Sequence, residues 1–461
     1  MAELNRKALS EILEKNISHL NRVLEALNIE EHSLSVVTIL LAKMSQPWNS
    51  ATHERILQTI AQVELWLPLF NQCQLQWAPD LFVALIRRIA QYFLRKNEQV
   101  LLIRGIRLLL SAISIFAPEP GVLTSLHSYL FCLSLRTRIY EPSIPFLETP
   151  ITKIFKETSS QSNIPNIDSK WVLLYFYYGG LILGSLGRLR ECLLMMENVI
   201  CIPSIAISAV VVEAYKKYIL ISMILFDQIS PLPSYRSSLI PRNVRKLCAD
   251  YTSIETICQN NDHGPDVALS LIKHLEQHRK TFEMDGNVGL VKRLIRKIRE
   301  NSILKIAKCF SVISIDDFVR RGHLDNAEHA LRYLTEMSDA GKLVVRIDQQ
   351  NRIIRLDEVK TQMNDDRLEE ALRRVMELDK LINEFDVSYR TNALYINRSL
   401  ASSAKSASQL HSSLALNDSE GFQQSTSSQF GAQSMVSNSK PSSMSNNINE
   451  NPSSLDLLWP S

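Results

Sequence analysis

Through residues 1–310 apolar positions return every three or four residues. Leu9, Ile12, Leu13, Ile17, Leu20, Leu24 and Leu27 form one such stripe, and similar stripes run over 33–44, 54–70, 80–94 and 99–116. A period near 3.6 puts these side chains on one helix face, so the pattern predicts amphipathic helices. Breaks fall at Pro47, at Pro79 and in the Ala-Pro-Glu-Pro-Gly stretch 117–121, with no strand-like alternation between them. Such helices hide their apolar faces only against neighbours, which makes stacked helical hairpins the economical arrangement.

One repeat is clearest, from Tyr178 to Pro203. A tetratricopeptide helix pair needs small residues where its helices touch, a turn glycine, a small residue early in the second helix and a closing proline. Gly179 and Gly180, Gly187, Cys192 and Pro203 fall in that order.

Near residue 311 the pattern changes. The stretches 314–317 and 325–328, opened by Ser314 and Asp325, read as capping boxes at helix starts. The second opens a helix with Ala327, Ala330, Leu331, Leu334 and Met337 on one face, and Gly341 is placed to end it. Leu343, Val345 and Ile347 then alternate with Lys342, Val344 and Arg346, and after a polar loop Ile354 and Leu356 alternate likewise. Helix, helix, two-stranded hairpin is the order of a winged helix. Leu343, Val345, Ile347 and Arg355 are the expected residues of its open edge.

A further helix is expected over 364–385. Ala371, Val375, Leu378, Ile382 and Phe385 follow a 4-3-4-3 spacing, the seam of a coiled coil or bundle. Past residue 400 the chain is rich in Ser, Asn and Gln and should be disordered. Within it Ser408 and Ser428, each followed by Gln, are candidate phosphorylation sites, and Leu455 to Trp459 is a short apolar patch.

The expected fold is therefore all-α dominated, an α-solenoid with a winged helix behind it. Its divisions are N-terminal helical repeats over 1–165, tetratricopeptide-like repeats over 166–310, a winged helix over 311–360, a C-terminal helix over 361–386 and a tail over 400–461.

Composition narrows the function classes. A hydrophobic fraction of 45% with 21% charged residues suits a soluble globular protein. The 51 Lys and Arg nearly balance the 48 Asp and Glu, so no broad field draws the chain to nucleic acid or anionic membrane. Seven scattered cysteines without a C-x-x-C pair read as reduced thiols, and the N-terminus has no apolar h-region of a signal peptide. The cytoplasm and nucleus are the expected compartments. The uncharged stretch Trp171 to Gly187 is too short to span a membrane and reads as a core helix.

Catalytic and metal patterns are missing. No H-x-H, GxGxxG, Walker loop or GxSxG occurs. His274 and His278 lie four apart, but the glutamate at 276 is not beside the first histidine as a zinc protease requires, so a solvated helix face is expected. Cys192 reads as a core thiol. No catalytic residue, metal or cofactor is expected. The basic run Lys292-Arg293-Leu-Ile-Arg296-Lys297-Ile-Arg299 has Leu290, Leu294, Ile295 and Ile298 as an apolar side and reads as a helix with a wet cationic face. Asp325, Glu328, Glu336 and Asp339 outnumber His329 and Arg332 on the candidate recognition helix, which argues against a phosphate contact.

A helical-repeat array running into a winged helix resembles the PCI module of scaffold subunits in the COP-9 signalosome, the proteasome lid and an initiation-factor complex. Tyr175-Phe-Tyr-Tyr-Gly-Gly180, Glu213-Ala-Tyr-Lys-Lys-Tyr-Ile-Leu220 and Asn287-Val-Gly-Leu-Val-Lys292 resemble segments of the signalosome's third-subunit family. So do Asn16-Ile-Ser-His-Leu20 and Glu31-His-Ser-Leu34. The resemblance implies a non-catalytic scaffold in a complex that removes a ubiquitin-like modifier from cullin-RING ligases, with its zinc site on another subunit. It also implies partners bound through winged-helix edges and through a bundle of terminal helices, with Val375, Leu378, Ile382 and Phe385 as this chain's share. A PCI scaffold subunit of the proteasome lid or of an initiation-factor complex, a nucleic-acid-binding winged-helix protein and a hydrolase are the competing readings.

Overall fold

The computed structural model describes residues 16–400 apart from 47, 49–51, 156–168, 204–205, 234–235, 237–239, 261–265, 323, 325, 349, 358–364, 394 and 398–399. Leu9, Ile12, Leu13, the breaker Pro47, the cap Asp325 and the tail beyond 400 thus lie outside the described residues. The helices in order are α1 (Ile17–Ala26), α2 (Ser33–Met44), α3 (His53–Trp66), α4 (Gln72–Trp77), α5 (Pro79–Lys96), α6 (Gln99–Phe116), α7 (Ser125–Thr137) and α8 (Ile144–Glu148). There follow α9 (Ser169–Ser185), α10 (Leu189–Cys201), α11 (Ala209–Phe226), α12 (Ala249–Asn260), α13 (Asp266–Gln277), α14 (Arg279–Met284) and α15 (Val288–Cys309).

Helix ends follow local chemistry. Pro79 opens α5 instead of breaking the chain, because a first-turn amide has no intrahelical acceptor to lose. Asn97 ends that helix at φ 54°, its amide bonded to the Phe93 carbonyl. Between α9 and α10, Gly187 takes φ 81°, the Arg188 amide reaches the Leu183 carbonyl and the Gly187 amide the Gly184 carbonyl. This is a Schellman-type stop, and it makes the expected hairpin. A Cβ at Gly180 would lie 2.7 Å from Met196 Cε and 3.2 Å from Met195 Cβ, so the small residue sets how closely α9 and α10 approach.

The apolar faces merge into one core running from Leu20 to Ile295. It is continuous across the expected division at 165, where the Phe131 and Tyr175 rings of α7 and α9 meet at 5.0 Å. Tyr175 Oη also donates to the Phe146 carbonyl at 3.0 Å. The uncharged Trp171 stretch lies in α9, with Trp171, Tyr175, Tyr177 and Tyr178 buried. Among the described helices α6 is long and apolar enough to cross a membrane by length and composition, and half of it is buried.

A two-stranded parallel pair, β1 (Val122–Leu123) with β2 (Lys153–Ile154), was not foreseen. Two residues have no period to read.

The second core holds Ile303, Phe318, Leu334, Met337, Leu343, Ile354 and Leu356 among others. It is a winged helix: β3 (Val312–Ser314), α16 (Ile315–Gly322), α17 (Ala327–Asp339), β4 (Val344–Asp348) and β5 (Ile353–Asp357). Ser314 Oγ accepts from the Asp317 amide at 3.2 Å, half of the expected capping box. Gly341 at φ 66° closes α17, with the Lys342 amide on the Met337 carbonyl. The sheet has three strands in the order β3-β5-β4 rather than two.

The chain divides into two compact units, one holding the repeats and the winged helix, the other the helix α18 (Asp365–Thr391). That helix runs six residues past the expected end at Phe385.

Candidate functional site

Strand order decides which backbone is open. Within the described sheet β3 and β4 each pair with β5 on one side only. Arg355 is therefore not an edge residue: it lies in the central strand, paired with Val312 on one side and Arg346 on the other. The hairpin alone suggested two edges, but the short β3 occupies one flank of β5. Leu343 is buried in the winged-helix core ahead of the strand and is also not part of the edge. Val345 and Ile347 do lie on β4 and are half-buried, while Val344 and Arg346 are exposed. An edge strand with free amides and carbonyls is a template for a further strand.

The edge is fixed to the repeats through α15, a single helix that serves both cores. Leu290, Val291 and Leu294 enter the first core, and Ile303 and Ala307 the second. Glu300, only 7% exposed, lies between them. It accepts from Lys342 Nζ at 2.5 Å and from Arg296 Nε at 3.3 Å, while Arg296 Nη2 donates to Glu336 of α17 at 2.8 Å. Lys342 sits in the turn that launches β4, so this ion network sets where the edge strand starts. Lys292, Arg293 and Arg296 do form a wet face, and Arg296 uses its charge within the chain. Arg332 of α17 is likewise paired with Glu336, at 3.0 Å.

The three family-like motifs converge inside the repeats. Lys216 Nζ donates to Glu213 at 2.6 Å and to Asp285 at 2.7 Å. Tyr251 Oη donates to Asp285 at 2.7 Å and accepts from Asn287 Nδ2 at 2.9 Å. Buried Lys217 reaches Glu213 at 3.4 Å, with its ammonium 5.7 Å from the Tyr177 ring centroid. Burial alone would lower the pKa of both lysines, but for Lys216 the bonds to Asp285 and Glu213 outweigh it, and for Lys217 Tyr177 and Glu213 do. Both amines are thus held protonated, the form that ties helices together and lacks the lone pair of a nucleophile. Sequence reading saw these motifs only as resemblances, since their partners Tyr251 and Asp285 lie tens of residues away.

The other candidates are structural too. Burial pushes the Cys192 thiol up to about 12 and the Cys248 thiol likewise, far from a reactive thiolate. His274 is not on a solvated face: it is 8% exposed, its Nε2 2.8 Å from the Asp250 carbonyl and 3.2 Å from Ser253 Oγ. The face of α13 carrying it packs on α12, a contact that spacing along one helix does not reveal. Among the described residues no group of three or more His, Cys, Asp or Glu is arranged to hold a metal ion.

On α18 the seam is open. Val375, Leu378 and Ile382 are 62%, 51% and 63% exposed, and Phe385 is half-buried. Leu368, Leu372, Met376 and Tyr389 are exposed beside them, widening the apolar surface. Along its 27 residues the helix thus carries a long exposed apolar face.

Helical repeats passing through one shared helix into a winged helix define a scaffold of the PCI type, and residues 275–358 match the family described as PCI domain. Residues 1–240, more than half of the chain, match the family described as COP9 signalosome complex subunit 3, N-terminal helical repeats. The chain belongs to that family. It is 27% identical over 415 residues to COP9 signalosome complex subunit 3 of Drosophila melanogaster, covering 87% of this chain and 91% of that protein. The protein of the same name from Dictyostelium discoideum is 26% identical over 408 residues, covering 87% of this chain and 92% of that one.

Proposed function

We propose that this chain is a non-catalytic scaffold subunit of the COP9 signalosome. It holds neighbouring subunits through the open edge of β4 and the apolar seam of α18, in the cytoplasm and nucleus. Through the complex it supports removal of a ubiquitin-like modifier from cullin-RING ligases, the zinc chemistry being another subunit's. The carrying observation is the uncovered seam: burying Val375, Leu378, Ile382 and Phe385 gains roughly 1.5 to 3 kcal/mol each before ordering entropy is subtracted. No nucleic acid or membrane partner is needed, and Glu328 and Asp339, with Arg332 already paired to Glu336, make α17 a poor match for phosphates.

Replacing Leu378 and Ile382 together with Asp tests this reading. Tagged chains are expressed in cells and recovered with their partners for mass spectrometry. The double variant should keep the thermal unfolding of the isolated chain but no longer bring down the other subunits. Full recovery of the complex by the variant would refute the bundle.

A further inference from the structure

Helix α5 carries a cationic site far in sequence from both proposed assembly surfaces. Arg88 and Arg95 are seven residues apart, two turns on one helix face. Both guanidinium groups lie over the Trp48 indole, their Cζ atoms 4.9 and 5.6 Å from its ring centroid. Tyr92, between them on α5, meets the same indole edge-on at 5.7 Å, and its hydroxyl contacts His53 Nδ1. One indole thus carries two like charges against its ring.

No described residue neutralises those charges. Among the described residues neither arginine forms an ion pair, and the one hydrogen bond of Arg88 is a long contact of 3.5 Å to the Met44 carbonyl. Arg87 and Lys96 are exposed on the same helix, and Arg136 Nη1 reaches its last turn at the Leu94 carbonyl, 3.3 Å away. Among the described residues Glu98, three positions past Arg95, forms no ion pair with either arginine. The Trp48 Nε1 donor is buried and has no acceptor among the described residues. Stacking covers a guanidinium face and leaves its N–H rim free in a fixed fork, the geometry that grips a carboxylate with two bonds. An indole already covered by guanidinium groups is no platform for a nucleic-acid base, which binds by stacking on an open ring.

We propose that Trp48, Arg88 and Arg95 form a docking site for an acidic segment of a partner protein, whose Asp or Glu carboxylates bridge the two guanidinium rims. The site shares no residue with the β4 edge or with α18, and it stands whether or not those surfaces assemble as proposed.

The full-length chain is titrated into a fluorescein-labelled octaglutamate peptide and binding is read by fluorescence anisotropy at low and at physiological salt. Arg95→Gln should weaken binding about tenfold, and Arg88→Gln similarly, as expected for loss of a charge-assisted fork. Arg95→Lys keeps the charge but not the fork and should still weaken binding severalfold. Arg95 is exposed, so its variants should melt like the parent. The paired change Lys292→Gln and Arg293→Gln, in the other basic cluster, should leave binding unaltered. Unchanged binding by Arg95→Gln, or an equal loss in the Lys292 and Arg293 control, would overturn the site. So would displacement of the peptide by a single-stranded oligonucleotide at lower concentration than by unlabelled octaglutamate.

Discussion

Lys342 Nζ lies 2.5 Å from Glu300 Oε2, which ties the turn before β4 to the helix that carries the repeats. Glu300 is nearly buried whereas Lys342 and Arg296 keep about half their side-chain surface. Removing the carboxylate therefore lets both cations rehydrate. Glu300→Ala should destabilise the chain by about 1 to 2 kcal/mol, and Glu300→Gln, which keeps an acceptor, by less. Hydrogen exchange at β4 should quicken in the alanine variant. Exchange identical to the parent would show that the tie does not hold the strand.

The order β3-β5-β4 separates two proline substitutions. Arg355→Pro removes a donor from the central strand and should unfold the winged helix, visible as lost protection throughout β3 to β5. Val345→Pro falls on the edge strand at a residue whose amide faces away from β5, a position where proline is tolerated. That variant should fold, yet recover fewer partners in the purification described above.

His127 makes stability depend on pH. Its ring is buried in α7, and Nδ1 accepts from the Thr124 amide at 3.1 Å as part of the helix cap. Burial pushes its pKa down to about 4 from 6.5, against an opposing contribution from the Thr124 backbone. Between these values the unfolded chain takes up a proton that the folded chain refuses. The contribution is full above pH 6.5, shrinks as pH falls, and is gone below about 4. At ~1.36 kcal/mol per unit this amounts to at most about 3 kcal/mol. Urea unfolding of the parent and of His127→Gln at about pH 7 and about pH 4.5 measures it, and the variant should lose less on acidification.

Tyr251→Phe deletes one hydroxyl but strands two groups. Asp285 loses a donor and Asn287, fully buried and already carrying an unpaired Oδ1, loses its acceptor. A cost of about 1 to 3 kcal/mol is expected, against a few tenths for an exposed tyrosine. Chemical denaturation of the two proteins side by side gives the difference directly.

Local order was legible along the chain because helices are made of contacts three and four residues apart. The stripes over 33–44 and 99–116 became α2 and α6 end for end, Gly187 and Gly341 took the left-handed turns that stop their helices, and the seam spacing at 371–385 became an uncovered helix face. What depends on distant partners was not legible. Three residues at Val312–Ser314 have no periodicity, yet their pairing with β5 turns Arg355 from an edge residue into a central one. Nothing near His274 announces that Asp250 and Ser253 will bury it, and nothing near Glu213 announces Asp285. Apolar period and turn chemistry are properties of neighbouring residues, and so are written in the sequence. Strand order, burial of a polar group and the gathering of Trp48 with Arg88 and Arg95 are relations between segments, and only chain packing decides them.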